Sequence, residues 1–90
     1  MRKRLTWNPE KDAWLRRSRG FGFEEIYEAI NSGGLIADTE NPSQNHHGQR
    51  MFVVRLNDYL ISVPYVEDGD TAFLKTAYPN RKLRRRYEKA

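Results

Sequence analysis

Apolar positions recur with different periods along this chain, and each change of period predicts a change of element. Leu5-Thr6-Trp7 alternates like a short strand and is closed by Asn8-Pro9. Asn8 is a favourable helix N-cap, and Pro9 fits the first helical position, where a missing N–H does no harm. Residues 9–19 therefore read as a helix. Glu10 and Asp12 sit in its first turn, Arg16, Arg17 and Arg19 near its end, and Gly20 supplies the stop. Its only apolar side chains are Ala13, Trp14 and Leu15, which predicts a surface helix with a narrow seam. After Gly22, the residues Phe23, Ile26, Tyr27 and Ile30 fall at i, i+3, i+4 and i+7. That spacing predicts a second helix with one apolar face, Glu24, Glu25 and Glu28 toward solvent, and a stop at Asn31-Ser32-Gly33-Gly34.

From Leu35 onward the pattern turns strand-like. Leu35-Ile36-Ala37 is a short strand, residues 41–48 (NPSQNHHG) a polar loop, and residues 50–56 (RMFVVRL) a β-branched run. Asn57-Asp58 is a hairpin turn signal. Residues 59–66 (YLISVPYV) form the next strand, with Pro64 implying an edge or a bulge. Residues 67–70 (EDGD) make a second tight turn, residues 71–77 (TAFLKTA) a last strand, and residues 81–90 a basic terminal helix after Pro79-Asn80. The expected fold is α+β in one domain over residues 1–90: two N-terminal helices on an antiparallel β-meander, with a short C-terminal helix.

Charge changes the picture more than composition does. Residues 1–20 carry seven Lys/Arg against two acids, residues 21–74 two against nine, and residues 75–90 seven against one. The ends are cationic and the middle anionic, which the total of +4 conceals. If the ends meet in the fold they form one positive surface suited to a polyanion; otherwise they are two solvated tails. With no cysteine, neither a disulfide nor a thiolate metal site is available, as suits a reducing compartment. No apolar run approaches the ~20 residues of a membrane span. The start, Met1-Arg2-Lys3-Arg4, leads into Leu5-Thr6-Trp7-Asn8-Pro9 instead of an apolar stretch, so the expectation is a cytoplasmic protein without membrane association.

Most catalytic chemistries find no support. His46 and His47 are adjacent in a loop, a spacing that suits a solvated segment better than a shared metal ion, and no metal or other cofactor is expected. Gly20-Phe21-Gly22 is a helix connector without the Lys-Ser/Thr of a phosphate loop. No serine lies in a nucleophile-elbow context. Metal-free cleavage of RNA by its own 2′-OH fits better, since it needs cations around a phosphate and a group that shuttles protons. Lys75 is the only charge in its strand, Tyr78 stands near its end, and Arg81, Lys82, Arg84, Arg85 and Arg86 follow. Arg50 and Arg55 are the only basic residues between Arg19 and Lys75. Each either answers to a ligand or pairs with a nearby Asp or Glu on the sheet.

Trp7-Asn8-Pro9-Glu10-Lys11, Gly22-Phe23-Glu24-Glu25, Phe52-Val53-Val54, Phe73-Leu74-Lys75-Thr76, Arg81-Lys82 and Tyr87 together carry a family likeness. In this order, over nearly the whole chain, they resemble the BrnT-like toxins of bacterial type II toxin–antitoxin pairs. The resemblance implies a fold like the RelE ribonucleases, metal-free RNA cleavage, growth inhibition, and neutralisation by a small antitoxin, often with a ribbon-helix-helix part. Arg50 matches the arginine that begins the central strand in relatives, and Tyr78 replaces an arginine that many carry at the last strand's end. On that basis Arg50 and Lys75 hold the scissile phosphate, and Tyr78 or His47 moves a proton or stacks on a base. Arg81, Lys82, Arg84 and Arg85 hold flanking phosphates, with Arg55 a further RNA-binding candidate. Trp7 is either a stacking platform or a core aromatic, while Trp14 and Tyr87 read as packing residues. The alternatives are a non-catalytic nucleic-acid binder and a decayed toxin kept within a repressor complex.

Overall fold

Asn8 ends the first strand and starts the first helix in one step. Its side-chain oxygen accepts hydrogen bonds from the N–H groups of Glu10 at 2.7 Å and Lys11 at 3.3 Å. The computed structural model describes residues 3–40 and 49–87. It runs β1 (Arg4–Trp7), α1 (Pro9–Arg19), α2 (Phe23–Ala29), a wide turn (Ile30–Gly34), β2 (Leu35–Glu40), β3 (Gln49–Leu56), β4 (Tyr59–Asp68), β5 (Thr71–Leu74), β6 (Tyr78–Pro79) and α3 (Lys82–Tyr87). The fold is α+β.

Local chemistry explains the joints. Gly20 closes α1 at φ 80°, where a side chain would be strained, and its N–H reaches Arg16 O at 3.2 Å. Asp12 then caps the next helix from outside, accepting from the Phe23 N–H at 2.7 Å. Glu25 accepts from the Gly22 N–H at 2.8 Å, and Arg16 reaches both carboxylates. After α2, Gly34 passes so close to its neighbours that a Cβ would lie 2.7 Å from Ala29 O and 2.8 Å from Arg55 O. Asn57 and Asp58, at φ 49° and 69°, make the tight turn between β3 and β4 that their residue types predict.

The sheet is mixed, with strand order β1-β5-β4-β3-β2 and β6 pairing with β4 beyond the end of β5. All neighbours are antiparallel except β1 and β5, which run parallel from Arg4↔Thr71 to Trp7↔Leu74. The expected antiparallel meander runs through β2, β3, β4 and β5, and the first strand of the chain extends it in parallel, beside a strand 67 residues later. The strand predicted over residues 71–77 breaks at Leu74 and resumes as β6. This break turns Ala77 into the core, away from the face that strict alternation from Phe73 and Lys75 would give it. Pro64 lies in the interior strand β4, neither on an edge nor in a bulge. Its carbonyl accepts from the Lys75 N–H at 2.8 Å, so its missing donor faces the interval between β5 and β6, where no regular ladder needs it.

Two cores lie on the two faces of this sheet. On the inner face, Leu15 of α1 and Phe23, Ile26 and Ile30 pack on Phe52, Val54, Ile61, Val63, Tyr65 and Leu74. On the outer face, Leu83 of α3 packs with Met51, Val53 and Leu60, with Tyr87 against them. Burial on both sides explains the unbroken apolar run Met51–Val54 of β3. Tyr27, expected in the apolar stripe of α2, is 44% exposed instead, because the buried stripe follows Phe23, Ile26 and Ile30 alone. No helix among the described residues is long and apolar enough to cross a membrane.

Candidate nucleic-acid interface

The alternation of β3 and β4 sends the candidate cations to different faces. Arg50 sits opposite Tyr65 and shares the inner face with Phe52 and Val54. There its Nε donates to Asp38 Oδ1 and to Tyr65 Oη, each at 3.2 Å, and its Nη2 donates to Asp38 O at 3.2 Å. The Tyr65 hydroxyl donates to Asp38 Oδ1 at 2.6 Å, and its ring stacks on Phe52 with centroids 4.0 Å apart. Lys3, just ahead of β1, completes the group: its Nζ donates to Tyr65 Oη at 2.9 Å and pairs with Glu67 and Asp38. Asp38 lies in the edge strand β2 and Lys3 leads into the opposite edge strand β1, so the cluster draws on both edges of the sheet.

This cluster is electrically self-contained. Two cations, Lys3 and Arg50, face two carboxylates, Asp38 and Glu67, around one buried phenol. Burial opposes the charge on Lys3, but the bonds to Glu67 and Tyr65 and the field of Asp38 outweigh it and hold its pKa above the usual ammonium value. The hydrogen bond with Tyr65, then that with Asp38, raises Arg50. Burial pushes the Tyr65 phenol up, helped by Asp38 and opposed by Lys3 and Arg50. Of the two readings open for Arg50 from sequence, pairing with a nearby acid describes its position here.

The remaining candidates gather on the outer face and its rim. Phe73, opposite Val66, points outward; Lys75, two residues on, follows it, with Nζ 5.5 Å from the Phe73 ring centroid. Tyr78 pairs with Ser62 on the same face and lines a cleft with Met51, Lys82, Leu83 and Arg86. Phe73 is 38% exposed, and α3 leaves this end of the sheet uncovered. Arg81 and Arg84 project toward Tyr59 at the hairpin tip, where Arg84 donates to Asp58 O at 3.0 Å. Arg85 is exposed on α3. Arg55 is also exposed and, in alternation with Met51 and Val53, belongs to the outer face.

Lys75 and Tyr78 thus share a face, whereas Arg50 points to the other. Trp7 packs against the Phe23 ring at a centroid distance of 5.7 Å and is a core aromatic. Trp14 is 39% exposed between the cations of Lys11 and Arg19, at 4.2 and 4.8 Å from its ring, so it lies on the surface while Tyr87 packs as expected. His47 lies outside the described residues. The aromatic members Phe73 and Tyr59 are not among the site residues that the sequence suggests, although Phe73 shares a strand face with Lys75 there. The signal for Phe73 was its i, i+2 relation to Lys75, and for Tyr59 its place directly after the turn. Among the described residues, no three His, Cys, Asp or Glu side chains lie together as a metal site would need.

The two basic helices sit on opposite faces, α1 inside and α3 outside. The ends of the chain meet in the sheet, where Trp7 pairs with Leu74 just before Lys75, while Arg19 and Arg81 lie on either side of Tyr59 and Pro79 at the hairpin tip. No family model matches the chain, and no curated protein matches it significantly.

Proposed function

We propose that this protein is the toxin half of a type II toxin–antitoxin pair, a metal-independent ribonuclease that cleaves RNA through its 2′-OH and is neutralised by a small antitoxin. The observation that supports this reading best is the outer-face series Phe73, Lys75 and Tyr78, continued by Lys82 and Arg86. Cations interleaved with aromatic rings on an open surface are what single-stranded RNA needs: charge for the backbone and faces for stacking. In this reading Lys75 stabilises the scissile phosphate as negative charge develops. The 2′-hydroxyl gives its proton to water as its oxygen bonds to phosphorus; the bond from phosphorus to the 5′-oxygen breaks, and Tyr78 hands a proton to that departing oxygen, leaving a 2′,3′-cyclic phosphate. Arg50, committed to Asp38 and Tyr65, is assigned to holding the fold. The antitoxin, of ribbon-helix-helix type in the resemblance, covers the same cationic surface.

A second reading, a nucleic-acid binder without catalysis serving a repressor complex, is favoured by one observation: Arg50, which the resemblance puts on the scissile phosphate with Lys75, is paired with Asp38 on the other face. Incubating the protein with RNA in excess EDTA separates the two. Products ending in cyclic phosphate, lost in Lys75→Ala and reduced about 100-fold or more in Tyr78→Phe, support the enzyme. A mobility shift with intact RNA supports the binder, and neither result would remove both.

A further inference from the structure

We infer that the cleft around Tyr59, at the tip of the β3–β4 hairpin, is a subsite for one unpaired nucleotide of a single-stranded RNA. This inference rests on RNA being the ligand and adds a second contact, away from Lys75 and Tyr78.

Among the described residues, Tyr59 is the most exposed of the large hydrophobic side chains, at 59%. It is a shared wall of adjoining clefts. One, of about 400 Å³, is formed by Arg19, Phe21, Leu56, Ile61 and Pro79 and lies within the range of small-ligand sites. The others are formed by Tyr59 with Arg81 and Arg84 across Pro79. Among the described residues lining these clefts there is no carboxylate side chain, and the neighbouring Asp58 gives its backbone carbonyl to Arg84. The wall is built for permanence: Tyr59 follows a turn at positive φ and pairs with Leu56.

These groups have complementary tasks. Tyr59, with Phe21 and Pro79 near it, offers flat apolar surface to a planar ring. Arg19 on one side and Arg81 and Arg84 on the other offer guanidinium groups to the phosphates before and after that ring. A base held in duplex could not enter, because its faces are already stacked and its edge already paired. The cation-lined cleft commits to a polyanion with aromatic rings, and an acidic peptide would satisfy the arginines without using the ring platform.

A fluorescently labelled 2′-O-methyl oligonucleotide, which lacks the attacking hydroxyl, reads binding by anisotropy without cleavage. Tyr59→Ala is expected to weaken single-strand binding about 10-fold, with Tyr59→Phe within about two-fold of the parent. One abasic position in the oligonucleotide should cause a similar loss with the parent protein and add nothing to Tyr59→Ala. Unchanged affinity in Tyr59→Ala, while Lys75→Ala/Lys82→Ala weakens binding, would overturn the subsite and leave the RNA reading standing. Absence of binding by the parent protein would overturn both. If Tyr59→Ala does not fold, the abasic arm decides: equal affinity for intact and abasic strands across every abasic position refutes the subsite.

Discussion

Tyr65 shows how one side chain can serve two opposed environments. Its ring is fully buried on Phe52, while its hydroxyl sits among Asp38, Lys3 and Arg50. Tyr65→Phe keeps the stack and removes the hydroxyl, so urea denaturation at neutral pH should register a loss of about 1 kcal/mol. The pH dependence is more diagnostic. Both Lys3 and Tyr65 have raised pKa values in the folded chain, so the native state holds protons that the unfolded state releases first. Their contribution is intact below about pH 10, the ordinary range of free amines and phenols, and declines as pH rises beyond it. Tyr65→Phe and Lys3→Met should each flatten the fall in unfolding free energy between about pH 10 and 12. Slopes equal to the parent's would show that the cluster does not couple to folding.

Among elements, the joint between α1 and α2 depends on side chains that reach across it. Asp12 belongs to one helix and caps the other, and Asp12→Ala should cost about 1 kcal/mol by leaving the Phe23 N–H without its acceptor. Chemical denaturation measures this directly, and a matching Glu10→Ala control, at an exposed position of the same helix, should change stability much less. The same elements show what was legible in sequence. Both α1 boundaries, the Asn57-Asp58 turn and the β3 run rest on neighbouring residues, and their chemistry is local. The partner of β1 is 67 residues away, and β6 exists only because β4 offers it an open stretch. The site was half legible for the same reason. Lys75 and Tyr78 share a short segment, but the acid that claims Arg50 stands in another strand, on the far side of residues 41–48.

For the molecule as a whole, the basic helices α1 and α3 lie on opposite faces of the sheet. Binding to single-stranded RNA should therefore depend steeply on salt, with each neutralised phosphate contributing about 0.7 to the slope of log K against log salt. Replacing Arg81, Lys82 and Arg84 by alanine should reduce that slope by about 2, whereas replacing Arg16 and Arg17 on the other face should leave it nearly unchanged. A slope insensitive to the first set would place the polyanion elsewhere.

The parallel pairing of β1 with β5 has a consequence for biosynthesis. Ribosomes release a chain from its amino end, so residues 4–7 emerge first yet must wait for residues 71–74 before they find their neighbour. At about 5–20 residues per second this delay lasts several seconds, and α1 and α2 meanwhile lack the sheet that buries their apolar sides. A nascent chain would thus keep this part of the sheet unfinished until residues 71–74 have emerged.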